Sequence, residues 1–330
     1  MARGYTRRRA IAIIAATAGL PLLTRAEPMA TVIRWSGQAL GAPATLILNH
    51  ENQVHATRLI DAVVAEVARL EAVFSLYRDE SSLSELNRVR ALVAPPRDLV
   101  TLLGSCQEYW TMSGGAFDPT VQPLWSLYRD HFMQPEADPS GPPAEKIRNA
   151  LDAVGFDGIE FNRDRIILTR PKMAVTLNGI AQGYITDRIV ELLRGAGVTS
   201  SLVDMGESRA IGSRENGTPW RIGLTERQDE SPDVILEVTN KAVATSSATG
   251  FHFDEAQHFG HILDPHTGGA AALYRRVTVI ADNATTADAL STAFSLMHET
   301  SIRSVIDRRP DVQADLVRAD GGHHRFETRA

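Results

Sequence analysis

The chain has 330 residues, 43% hydrophobic and 22% charged, with 34 Lys and Arg against 40 Asp and Glu for a net charge of -6. That suits a globular protein with a substantial core, and it leaves no electrostatic footprint for nucleic acid. The single cysteine, Cys106, excludes an intramolecular disulfide.

Thr6-Arg7-Arg8-Arg9 precedes the apolar run AIAIIAATAGLPLL, with small residues near a cleavage point after Ala26. Residues 1–26 therefore read as an export signal. Paired arginines before a moderately apolar run suit the twin-arginine type, with a general secretory signal as the alternative. The run is broken by Gly19 and Pro21, so no permanent membrane span is expected. The mature protein is expected in the periplasm, with 27–330 as one domain.

Thr31–Trp35 and Ala44–Leu48 read as strands around a Gly-Ala-Pro turn, and Thr57–Phe74 has helical apolar spacing. A turn-rich stretch through Ser84–Asn87 precedes a helix near Leu99–Met112, which closes on Ser-Gly-Gly. Residues Asp130–Pro143 are polar and proline-rich, a surface excursion. Short strands then follow, at Arg165–Thr169, Ala174–Leu177, Ser201–Met205, Arg221–Leu224, Val234–Val238, Ala242–Ala244, His258–Leu263 and Val277–Ala281. Only two good helices interrupt them, Ile180–Leu193 and Thr286–Met297. The pattern predicts an α+β fold with largely antiparallel sheets and flanking helices.

Three segments draw attention for chemistry. In TLNGIAQGYITDRIVELL, a strand-like run meets a helix through Gly179 and Gly183; the glycines serve either a tight turn or a close approach to an anion. In VTVIADNATTADALSTAFSLM, Asp288 and Thr292 stand four apart on one helix face. They could grip a hard cation, or Asp288 could simply favour the helix dipole. In HILDPHTGG, His261, Asp264 and His266 surround a proline turn. Histidines 252, 258, 261 and 266 fit no structural zinc spacing.

Taken together, LGAPATL, FSLYRDESSLSELN, SGGAFDPTVQPL, LNGIAQGYITDRI, VDMGES, AVATSS, HILDPHTG and VTVIADNATTADALSTA resemble the successive blocks of the ApbE family of flavin transferases. The resemblance implies an ApbE-like, T-fold-like architecture. It also implies Mg2+-dependent transfer of FMN from FAD to a threonine or serine hydroxyl of a periplasmic target, with release of AMP. By match, Gly179, Asp288 and Thr292 would hold the metal. Leu40, Tyr77, Ala116, Phe117, Asp118, Thr176, Gln182 and Ile262 would contact FAD, and His261 would accept the target hydroxyl's proton, Asp288 acting beside it in catalysis. Asp264 would orient its loop.

Several positions depart from the family: Thr176 replaces a common aspartate, Gln182 a lysine, Leu40 a methionine, Glu207 and Ser247 glycines. Arg188 is the candidate to offset the missing lysine charge. The pattern is most similar to the NosX-type branch, linked to nitrous oxide reductase maturation, with a flavin domain like that of NosR as acceptor. The alternatives are a non-catalytic FAD-binding accessory protein and a metal-dependent FAD pyrophosphatase.

Overall fold

The computed structural model describes residues 11–13, 31–225, 231–248 and 250–327. The expected export signal lies outside them, apart from a short strand, β1 (Ile11–Ile13), paired antiparallel with residues 222–224. Among the described residues, no helix is long and apolar enough to cross a membrane.

β2 (Thr31–Ala39) and β3 (Ala42–His50) form a hairpin in which Ala39 faces Ala42, so its turn is Leu40-Gly41 alone. Both residues have positive φ, 48° and 76°, which lets a two-residue turn follow the strand twist. The turn thus falls earlier than the Gly-Ala-Pro position. α1 (Gln53–Phe74) begins ahead of Thr57 because Asn52 caps it, accepting the His55 N–H at 3.0 Å. The supposed turns near Ser84 form α2 (Ser82–Val89), where Ser81 caps the helix and Leu83 and Leu86 are buried. After β4 (Ala91–Val93) and α3 (Arg97–Met112), the excursion is flanked by two helices that the pattern did not reveal, α4 (Gln122–Phe132) and α5 (Ala144–Leu151). Pro123 in the first turn of α4 needs no N–H donor there, so it starts the helix rather than breaking it.

β5 (Ile159–Phe161) and β6 (Arg165–Leu168) pair with β4 in a small sheet of order β4-β6-β5. The expected strand at Ala174–Leu177 does not form. Its backbone is satisfied elsewhere: Val175 N–H donates to Asn87 Oδ1 at 2.7 Å and Thr176 N–H to the Pro119 carbonyl at 2.7 Å. α6 (Ala181–Gly195) follows, then β7 (Ser201–Asp204), β8 (Ser208–Ile211), β9 (Trp220–Leu224), β10 (Val234–Val238) and β11 (Ala242–Ser247). His258–Leu263 is a loop, not a strand; Asp254 holds its start by accepting the N–H groups of His258 and Phe259. The chain ends through β12 (Tyr274–Ala281), α7 (Ala284–Phe294), α8 (Glu299–Arg308), β13 (Gln313–Arg318) and β14 (His323–Phe326).

An eight-stranded sheet of order β14-β13-β12-β11-β8-β7-β3-β2 is antiparallel at every pairing. One face packs on α1, α3, α6, α7 and α8 through a continuous core that includes Leu70, Leu102, Ile189, Leu290 and Phe294. The other face meets the sheet β1-β9-β10 through Ile47, Leu202, Trp220, Leu236 and Ile280. Strand alternation divides β11 between them: Ala242 and Ala244 face the helices, Val243 the small sheet. A third cluster, Leu124, Tyr128, Val154 and Leu263, ties α4 and α5 to the 251–270 loop.

Candidate active site

A cleft of about 140 Å³, open to solvent, lies between the helical core and this third cluster. Its wall is assembled from distant segments: the 116–125 stretch, the turn before α6, the β7–β8 hairpin, the end of β11, the 250–263 loop and the inner face of α7.

Two glycines let α6 and α7 converge there. Neither Gly179 nor Gly183 has positive φ, so a left-handed turn is not their purpose. A Cβ on Gly183 would lie 2.3 Å from the Ala284 carbonyl oxygen, and one on Gly179 would lie 2.9 Å from Thr292 Oγ1. Both are sites of close approach. Asp288 accepts the Gly183 N–H at 3.0 Å, so Gly179, Asp288 and Thr292 occupy one patch of the wall. That bond also occupies part of the α6 start, which therefore does not offer all its N–H groups to an anion. The start of α7 is taken too: Asp187 accepts the N–H groups of Ala284 and Thr285, each at 2.8 Å, and pairs with Arg209 at 2.6 Å.

Ala116, Phe117, Asp118, Thr176, Gln182, His261 and Ile262 also line the cleft. Leu40 and Tyr77 do not: Leu40 sits at the β2–β3 turn, where its N–H donates to Glu71 Oε1 at 2.7 Å, and Tyr77 is 59% exposed. Asp118 turns its carboxylate inward. Oδ1 accepts the Thr120 N–H and hydroxyl at 2.8 and 2.5 Å, and Oδ2 the Phe156 N–H at 3.0 Å. Burial pushes its pKa up while these bonds oppose the rise, so it serves as an internal clamp on the loop. Asp264 organises its own turn in the same way, accepting the His266 N–H at 2.8 Å and the Thr267 hydroxyl at 2.9 Å. Burial works against its charge, but those bonds win and hold it below the usual carboxylate range.

His261 Nδ1 lies 3.0 Å from the Phe251 carbonyl, which can only accept. Nδ1 therefore carries a proton, and in the neutral ring it is Nε2 that has the lone pair. Arg188 lies on the outer side of α6, paired with Glu191 at 2.5 Å, and takes no part in the wall. Among the described residues the wall holds the carboxyl groups of Asp118, Glu207 and Asp288 and no Lys or Arg. Among the described residues no three His, Cys, Asp or Glu side chains are grouped so that they could hold a metal ion. Single-residue patterns did not reveal the aromatic part of the wall, where Trp125 and Phe251 stack at 6.2 Å and 24°.

The ApbE family profile matches residues 40–316. The chain belongs to the ApbE family. Among its relatives in the family, the FAD:protein FMN transferase of Haemophilus influenzae is 26% identical over 331 residues, 96% of this chain and 95% of that protein. The protein of the same name from Vibrio cholerae is 27% identical over 326 residues, 95% of this chain and 96% of its own length. The apo crystal structure of the Pseudomonas stutzeri flavinyl transferase ApbE matches with TM-score 0.74 and 25% identity, covering 94% of this chain and 98% of that one. The Thermotoga maritima ApbE protein matches with TM-score 0.79 and 28% identity, covering 90% and 97%.

Proposed function

We propose that this chain is an FAD:protein FMN transferase, which joins FMN through its phosphate to a threonine or serine hydroxyl of a target protein and releases AMP. The observation that carries this reading is the meeting of Gly179, Asp288 and Thr292 on a cleft wall that has carboxylates but no Lys or Arg among the described residues. Phosphoryl transfer needs charge neutralisation and positioning more than covalent help, and an acidic wall cannot neutralise a diphosphate by itself.

The donor set fits a hard divalent cation. A carboxylate, a hydroxyl and a backbone carbonyl are oxygen ligands of the kind that Mg2+ takes together with substrate phosphates. Asp288, Thr292 and the Gly179 carbonyl would hold it, and when bound it supplies positive charge against the diphosphate. The chain's own groups do the rest. His261 Nε2 takes the proton of the acceptor hydroxyl as its oxygen bonds to the FMN phosphorus, while the P–O bond to AMP breaks and AMP leaves. Trp125 and Phe251 offer an aromatic face to a flavin or adenine ring.

The arginine-led apolar segment supports export by the twin-arginine route to the periplasm. There the acceptor would be a flavin domain like that of NosR, in keeping with the NosX-type pattern. The deciding experiment incubates the purified chain with FAD, Mg2+ and such a domain and reads the intact mass of the domain. A gain matching FMN supports the transferase. Free FMN and AMP without acceptor would replace it with a pyrophosphatase, and bound FAD with no product would replace it with an accessory protein.

A further inference from the structure

His261 stands at the end of a small hairpin, 251–261, which among the described residues joins none of the three sheets. Phe253 N–H donates to the Phe259 carbonyl at 2.9 Å, His252 and Gly260 form an antiparallel bridge, and His261 N–H donates to the Phe251 carbonyl at 3.1 Å. The two limbs thus end, at Phe251 and His261, in the cleft wall. A hairpin this short is marginal in water without something to pack on. Here the rings of its limbs rest on α4: Phe253 lies 5.6 Å from Tyr128, and Phe259 lies 5.7 Å from Tyr128 and 5.2 Å from Phe132. The Tyr128 hydroxyl also donates to the Gly268 carbonyl at 2.9 Å, so α4 fastens the loop on both sides of His261.

The stretch that follows α4 closes on the tip of the Phe259 ring. His131 Nε2 donates to the Asp138 carbonyl at 2.9 Å, and Asp138 Oδ1 accepts the Ser140 N–H and hydroxyl at 2.8 and 2.6 Å, which folds this stretch back on the helix end. Gly141, buried at φ 95°, then runs so close that a Cβ there would lie 2.9 Å from Phe259 Cζ and 3.1 Å from Cε1. Glycine is needed there twice, for the backbone and for the ring. We infer that Phe259 is a positioning residue for the proton transfer: the proline-rich excursion holds its ring, the ring holds the hairpin, and the hairpin presents the Phe251 carbonyl that orients His261. The inference rests on the transferase reading and on His261 as its base. A misplacement of about 1 Å at a reacting group can cost on the order of 100-fold in rate, so a clamp behind this loop bears directly on turnover.

The test measures kcat for FMN transfer to the acceptor domain and FAD affinity by flavin fluorescence, with circular dichroism melts to show that each variant of the full chain is folded. Phe259→Leu keeps an apolar side chain and loses the ring, while Gly141→Ala pushes a methyl against that ring. Each is expected to lower kcat about 10- to 100-fold while the Kd for FAD stays within about twofold. Gly217→Ala is the control: its φ of 75° is also positive but nothing lies within 4 Å of its Cβ position, so it carries the backbone strain without the push and should keep wild-type kcat. On a His261→Ala background, Phe259→Leu should change the residual transfer by less than about twofold, because the residue through which it acts is gone. A general loosening of the fold would do the same damage in both backgrounds. Should the melt show Phe259→Leu unfolded, Gly141→Ala in the two backgrounds decides in the same way. Wild-type kcat in the folded variants, a loss that recurs in full without His261, a Kd that rises in step with the lost kcat, or equal damage from Gly217→Ala overturns the inference alone. A wild type that binds FAD and flavinylates no acceptor would overturn the transferase reading and the inference with it.

Discussion

Gly183 and Asp288 meet across the contact of α6 and α7: the Gly183 N–H donates to the Asp288 carboxylate at 3.0 Å, and a Cβ on Gly183 would lie 2.9 Å from Asp288 Cβ. The backbone obstacle is harder still, with the Ala284 carbonyl oxygen 2.3 Å from that position. Gly183→Ala must therefore part the two helices, and overpacking of this kind costs roughly 1–3 kcal/mol. We expect a melting temperature lower by several degrees together with loss of transferase activity, since Asp288 moves with α7. Gly195, at the other end of α6, has open space around its Cβ position and no positive φ. Gly195→Ala should leave both melting and activity unharmed, so equal damage from the two substitutions would remove the packing argument.

Asp288→Asn separates charge from shape. An asparagine oxygen can still accept the Gly183 N–H, so the fold should survive with a melting temperature near that of the wild type. The lost negative charge removes the hard-cation ligand. FMN transfer is expected to fall on the order of 10²–10³-fold, and added Mg2+ should recover part of it. Full activity in this variant, or in the wild type after exhaustive chelation, would refute the assignment of Asp288.

The Asp288–Thr292 pair was legible because four residues is a helical period, and α7 has the apolar spacing that makes the period visible. The neighbours of that pair were not. Gly179 faces Thr292, and Gln182 lies on Gly206, through contacts between segments far apart in the chain. Arg188 looked available to replace a charge at Gln182, but six residues along a helix is a rotation of about 240°, which carries the side chain to the outer face. Among elements, the antiparallel sheet strands were mostly readable from β-branched apolar runs. α2, α4 and α5 were not, because short helices with few apolar residues give little periodic signal. Ala174–Leu177 has a strand's composition and no strand partner, since Asn87 and Pro119 take its N–H groups first.

Acid should weaken the protein partly through Glu299. Arg318 donates to both of its oxygens, at 2.5 and 2.9 Å, and His324 Nδ1 lies 2.7 Å from Oε2. The Arg318 bond, opposed by burial and helped by His324, lowers its pKa from 4.5 to about 2. The folded-state pKa is depressed, so the unfolded chain binds the proton first. The pair's contribution is complete above about pH 4.5 and is lost as pH falls toward 2. Because the group is partly exposed, solvent screening limits it to under about 1 kcal/mol. Urea unfolding of wild type and Glu299→Gln at pH 3 and pH 6 should show a wild-type advantage at pH 6 that shrinks at pH 3. An advantage that grows in acid would reverse the sign and the assignment.

One oxygen engages both the main chain and the ring of His261. The Phe251 carbonyl accepts its backbone N–H at 3.1 Å and lies 3.0 Å from Nδ1, so the ring is oriented and its tautomer is set before any substrate arrives. In the neutral ring the other nitrogen, Nε2, is the basic one. His261→Ala is expected to reduce FMN transfer roughly 10²–10⁴-fold, the usual range for a lost general base. FAD affinity should change little, because the aromatic stack of Trp125 on Phe251 and the Asp288 patch are left in place. His261→Asn discriminates further. Its amide can donate toward the Phe251 carbonyl and preserve the loop, but it has no basic nitrogen, so it should bind FAD like the wild type and transfer as poorly as the alanine variant. Parallel loss of FAD binding and turnover in both variants would mean that the residue shapes the cleft; loss of turnover alone would place the proton on Nε2.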